Sequence, residues 1–118
     1  MGVIAMESNP IPLHLRQSEA QFQEAVEEYA RLHGWLVFHD QDSRGNEPGF
    51  PDDLFARGGV VVIAEFKTEG GKVSTERRIA NKGRKSERVL PSQHDWIMAS
   101  GAYVWRPSDW PQIEEVLS

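Results

Sequence analysis

Three residues can do joint chemistry if the chain folds back between them. Asp52 follows Pro51, Gly58-Gly59 interrupts two apolar runs, and Glu65 and Lys67 close the second run. A two-glycine turn is a hairpin signal, because both residues can take positive φ. Across such a turn the opposed residue numbers sum to 117, which sets Asp52 against Glu65 and Asp53 against Ala64. Side chains alternate along a strand, so Lys67 shares the face of Asp52 and Glu65 while Asp53 points the other way. Opposed Cβ atoms lie about 5 Å apart, a chelating distance for two carboxylates. Like charges facing each other destabilise a sheet unless something positive lies between them, and a divalent metal meets that need. An odd-length turn would instead bring Asp53 opposite Glu65.

The elements that must position these residues are legible from local patterns. Ser18 and Gln21 match a capping box, and Phe22, Ala25, Val26, Tyr29 and Leu32 follow at helical spacing, predicting a first helix over Glu19 to His33 stopped by Gly34. Trp35 to His39 reads as a strand, Asp53 to Arg57 and Val60 to Lys67 as the hairpin, and Ala102 to Arg106 as a fourth strand. A second helix opens at Pro91-Ser92 with Asp95 in a capping role and ends at Gly101. Ser108 is expected to cap a final short helix carrying Ile113, Val116 and Leu117. The order is α-β-β-β-α-β-α, an α/β fold with a mixed central sheet flanked by helices. Residues 1–17 read as an irregular lead-in and 18–118 as a single domain, with a long basic loop at about 68–90.

At 118 residues the chain can bury a core without staples, and it has no cysteine for disulfides or thiolate zinc sites. His14, His33 and His94 share no ligand spacing, and His39, ending a strand, is expected to be exposed. No apolar stretch reaches membrane-spanning length and the opening is too short for a secretory signal, so the expected setting is the cytoplasm; translation can start at Met1 or Met6. The net charge of −5 is strongly segregated. Residues 67–88 hold eight basic and three acidic residues, a balance of +5, and the rest of the chain holds five and fifteen, a balance of −10. A basic run of this kind is either a solvated loop or a polyanion-binding surface.

Pro51-Asp52 followed by Glu65-Phe66-Lys67 at the end of the next strand resembles the PD-(D/E)xK nuclease superfamily. With Ser18-Glu19, Gly34-Trp35, Asp42-Ser43-Arg44, Gly49-Phe50-Pro51-Asp52, Ser92-Gln93 and Tyr103 to Trp110 in this order, the chain is most similar to the virus-type replication-repair nuclease (VRR-NUC) domains, including small stand-alone phage versions. The resemblance spans about Ser18 to Leu117 and implies a restriction-endonuclease-like core. It also implies a Mg²⁺- or Mn²⁺-dependent endonuclease acting on DNA, structured or branched DNA included, as a homodimer. By position, Asp52 and Glu65 are then metal ligands, with the Phe66 carbonyl a further one, Lys67 the catalytic lysine and Gln93 an accessory residue. Glu19 is the first-helix acid, holding a water or a second ion; its alternative role is simple complementarity to the helix dipole. Arg44, Lys72, Lys82, Arg84, Lys85 and Arg88 are the expected nucleic-acid contacts. Two features depart from the family pattern: the long basic connection after Lys67, and Asp53 where an apolar residue is usual. The competing reading is a nuclease fold that binds nucleic acid or a protein partner without cutting.

Overall fold

The computed structural model describes residues 11–39 and 47–118. Arg44, expected to contact nucleic acid, lies outside the described residues, as does most of the lead-in. Helix α1 spans Glu19–Leu32 and opens on the expected capping box: Ser18 Oγ accepts from Gln21 N at 3.1 Å while Gln21 Oε1 accepts from Ser18 N at 3.2 Å. Strands β1 (Leu36–His39), β2 (Asp53–Arg57) and β3 (Val60–Phe66) follow. Gly58 and Gly59 sit at φ +56° and +83°, the two positive values that a two-residue hairpin turn demands. The predicted register results, with Arg57 opposite Val60 and Asp53 opposite Ala64.

The segment from 68 to 90 departs from the expected loop. Strands β4 (Arg78–Ala80) and β5 (Arg88–Leu90) form a separate antiparallel hairpin within it. Its apolar members are few, and Ile79 faces Val89 with both largely exposed, so basic side chains hide the strand pattern. Asn81 at φ +55° and Gly83 at φ +81° shape its turn. Helix α2 (Gln93–Ser100) then leads to β6 (Tyr103–Trp105), which pairs parallel to β3. A parallel pair needs a long crossover, and the hairpin and α2 together supply it. The final helix α3 is Trp110–Leu117. Ser108 does not cap it: Ser108 lies in a short 3-10 turn, Asp109 is the N-cap, and Asp109 Oδ2 accepts from Arg106 N at 2.8 Å.

The result is a mixed α/β fold around a four-stranded sheet in the order β1-β2-β3-β6, antiparallel except for the last pair. Phe22, Val26 and Ala30 form one stripe of α1 and bury against Phe55, Val62, Ala64 and Phe66 of the sheet, with Trp105, Ile113 and Leu117 completing the core. Phe22 meets the Phe66 ring edge-on at 5.5 Å. Arg57 lies 4.4 Å over the Trp35 ring and donates to the His33 and Ser118 carbonyls, tying the ends of α1 and α3 to the sheet. No helix among the described residues is long and apolar enough to cross a membrane.

Candidate active site

The hairpin register carries the site. Continuing it one residue beyond Asp53 sets Asp52 against Glu65, and Asp52 Oδ2 is locked there by accepting the Phe66 N–H at 2.8 Å. Glu65 is only 2% exposed, on the side of the sheet away from the Phe55–Phe66 core row. Lys67 Nζ lies 3.5 Å from Glu65 Oε2, with the lysine side chain 12% exposed. Gln93, in the first turn of α2, accepts from Lys67 Nζ at 3.1 Å and from Ser74 N at 3.0 Å. It therefore touches the lysine rather than open solvent. Glu19, at the start of α1, has its pKa raised by partial burial and then by the Asp52 charge, with Lys67 opposing, so its carboxyl belongs to the same electrostatic group. The Phe66 carbonyl lies between Glu65 and Lys67 at the end of β3.

Compared with protein-family models, curated proteins and solved structures, the chain matches none.

The donor chemistry fits a hard divalent cation: two carboxylates facing each other at the end of one hairpin, with the Phe66 carbonyl next along the chain, are oxygen ligands of the kind Mg²⁺ and Mn²⁺ take. Two carboxylates so placed repel each other. Burial first, and the facing Asp52 charge second, push the Glu65 carboxyl up to about 8, against the pull of Lys67. Asp53, on the opposite face, rises to about 9 through burial and then its neighbour Glu27. Both folded pKa values exceed the unfolded ones. The native state therefore holds protons that the unfolded chain releases above about pH 4 to 5, and stability is lost as pH rises through 8 to 9. In EDTA, denaturant midpoints are expected to fall steadily from pH 6 to pH 9, and saturating Mg²⁺ or Mn²⁺ to flatten the fall.

Asp52 is positioned from outside the sheet as well. Pro51 is fully buried, and Gly49 stands at φ +84° against the entrance to α2. A Cβ there would meet Pro91 O and Ser92 C at 3.0 Å and Gln93 N at 3.1 Å, all backbone atoms. Gly49→Ala is therefore expected to cost about 2 kcal/mol or more through both positive φ and the clash. It should also separate Asp52 from Gln93, and thermal melts of the variant against wild type check the loss of stability.

Gly49 also lines a cleft of about 350 Å³ with Pro48, Ser74, Glu76, Arg78 and Gln93, beside the base of the basic hairpin. Arg77 holds Asp95 of α2 bidentately at 2.7 and 2.8 Å, and the Asp95 carboxyl consequently sits well below the usual carboxylate range. Lys72, Lys82, Arg84 and Lys85 are exposed along this segment. Arg88 approaches Glu47 at 3.7 Å.

A second group lies on the opposite face of β2, with no motif in the sequence to mark it. His39 is not simply exposed: its side chain is 32% accessible, and Nδ1 lies 3.0 Å from Asp53 Oδ1 and 3.5 Å from Glu27 Oε2. Gln23 Nε2 joins them, 2.8 Å from the imidazole and 3.0 Å from Asp53 Oδ1. Glu19, Gln23 and Glu27 recur every four residues on α1, a readable stripe. That His39 pairs with Asp53 was not readable, because the two residues stand fourteen positions apart in the sequence with no single tight-turn signal midway to fix the register by counting.

Proposed function

We propose that the chain is a metal-dependent endonuclease that hydrolyses DNA phosphodiester bonds, built on the restriction-endonuclease-like core of the PD-(D/E)xK superfamily in its VRR-NUC form. The observation that carries this reading is the meeting of Asp52, Glu65 and Lys67 at one end of the β2–β3 hairpin, with Gln93 on the lysine. In a stable sheet, burying a carboxylate opposite another and keeping an ammonium beside them has little structural use. In a phosphodiesterase each has a task.

Asp52 and Glu65, with the Phe66 carbonyl, would hold the ion. When bound, it supplies Lewis-acid polarisation of the phosphate and a more acidic water near neutral pH. Lys67 has N–H donors beyond the one given to Gln93, and directs them at the charge that grows on the phosphoryl oxygens. Gln93 limits the rotamers of that lysine, and Ser74 N fixes Gln93 in turn. Glu19 adds negative charge at the edge of the site, suited to a water or second ion. The exposed Lys72, Lys82, Arg84 and Lys85, with Arg88, give the acidic centre a separate surface for the polyanion.

Neutralising Lys82, Arg84 and Lys85 together is expected to weaken DNA binding about tenfold or more near physiological salt and to reduce the slope of log K against log salt by up to about three. Titrations at several salt concentrations check both. The homodimer that the resemblance implies is supported by the outer sheet face, where Leu36 and Val61 share one cross-strand row and stay 76% and 58% exposed, with Phe38 at 58% beside them. The function itself is tested by incubating linear, flapped and four-way DNA with purified protein and Mg²⁺ or Mn²⁺. Cleavage that EDTA stops supports it; binding without cleavage under any divalent ion leaves a non-cutting module.

A further inference from the structure

We propose that Glu27, His39 and Asp53 form a second divalent-cation site, for a transition-metal ion such as Mn²⁺ or Zn²⁺, on the opposite face of β2 from Asp52. The three residues come from α1, β1 and β2, and each offers one ligand atom within 4.8 Å of the others. His39 sits directly opposite Asp53 in the β1–β2 register, so two of the three donors are fixed by backbone pairing. The imidazole Nδ1 lies 3.0 Å from Asp53 Oδ1 and 3.5 Å from Glu27 Oε2. Donor atoms bound at about 2.1 Å to one ion stand roughly 3.0 to 3.5 Å from each other, so little rearrangement is needed to close on a cation.

Without a cation this group is satisfied only by a proton shared between its carboxyls. Asp53 is 1% exposed and Glu27 9%, and among the described residues no N–H or hydroxyl group donates to Asp53 Oδ2 or Glu27 Oε2. Buried carboxylate oxygens without donors are expensive, and native proteins rarely keep them. His39 cannot resolve the conflict alone. Gln23 Nε2 serves Asp53 Oδ1 at 3.0 Å and reaches Nδ1 at 2.8 Å, and an Nδ1 that accepts from Gln23 has no proton to give Asp53 Oδ2 or Glu27 Oε2. A cation answers all these demands: Nδ1 gives it a lone pair, each carboxylate gives it an oxygen, and rotation of the Gln23 amide adds a carbonyl oxygen. The partly exposed imidazole edge leaves a route in from solvent. One imidazole and two carboxylates form a borderline donor set, which takes Mn²⁺ or Zn²⁺ more readily than Mg²⁺ or Ca²⁺.

This inference does not rest on the nuclease reading, and the two separate experimentally. Mn²⁺ is added to folded protein and the nitrogen modulation of its electron spin echo is recorded, since an imidazole ligand produces that signal and an all-oxygen site does not. Wild type is expected to show it, and an Asp52→Asn, Glu65→Gln double variant to keep it even with no cleavage. His39→Gln should abolish the signal, and Asp53→Asn should weaken the affinity of the modulated site at least tenfold. Because these variants can perturb folding, crystals of wild type grown with Mn²⁺ provide a second measurement, expected to place an anomalous peak among Glu27, His39 and Asp53. No nitrogen modulation in wild type, modulation that survives His39→Gln, or no peak at this position would each overturn the site.

Discussion

Replacing Lys67 by alanine is expected to lower the single-turnover rate of DNA cleavage by about a hundredfold to a thousandfold while leaving DNA affinity within a few fold. The magnitude is that of removing one preorganised donor from a centre where charge develops. The preorganisation is visible in the side chain itself: it is 12% exposed, and its ammonium, braced between Glu65 and the Gln93 amide oxygen, is held in place before any substrate arrives. Affinity is spared because most phosphate contacts are assigned to the exposed cations of the β4–β5 segment, far more accessible than Lys67. A loss of binding equal to the loss of rate would make Lys67 a docking residue. An unchanged rate would remove it from the chemistry altogether.

Glu65→Gln should separate activity from stability. Cleavage is expected to fall about a thousandfold or more, because an amide is a poor ligand for a hard cation and the second carboxylate of the pair is gone. In EDTA at pH 8.5 the same variant is expected to be more stable than wild type by about 1 kcal/mol or more, since it relieves a buried charge facing another. Gln keeps the volume of Glu and can still accept from Lys67, so packing is nearly preserved. Adding saturating Mn²⁺ should narrow or reverse the order, because only wild type gains the full free energy of binding. Paired denaturation curves with and without the ion check this. A Glu65→Gln variant less stable than wild type in EDTA would mean that the Glu65 carboxylate is a structural partner of Lys67 first.

The register that defines the candidate site was legible because it is local. Gly58-Gly59 fixes a two-residue turn, and every opposition along β2 and β3 follows by counting. The first turn of α1 was legible for the same reason, since Ser18 and Gln21 satisfy each other within three residues. The β4–β5 hairpin was hidden because Ile79 and Val89 are isolated among cations and most of the hairpin stays exposed, so no apolar alternation marks it. The group around Asp53 was half visible. The strand periodicity turns Asp53 away from Asp52, but what it meets there depends on long-range pairing with His39 and on the α1 stripe, which only the folded chain brings together.

The proposed function stands or falls with a hydrolytic metal centre at the end of the β2–β3 hairpin. Its most direct test is single-turnover cleavage of end-labelled linear, flapped and four-way DNA by wild type in Mn²⁺, with an Asp52→Asn variant verified as folded run in parallel. Wild type is expected to cleave in a manner that EDTA abolishes, and Asp52→Asn to reduce cleavage about a thousandfold. Cleavage undiminished in Asp52→Asn, or no cleavage of any of these substrates by wild type, would contradict it.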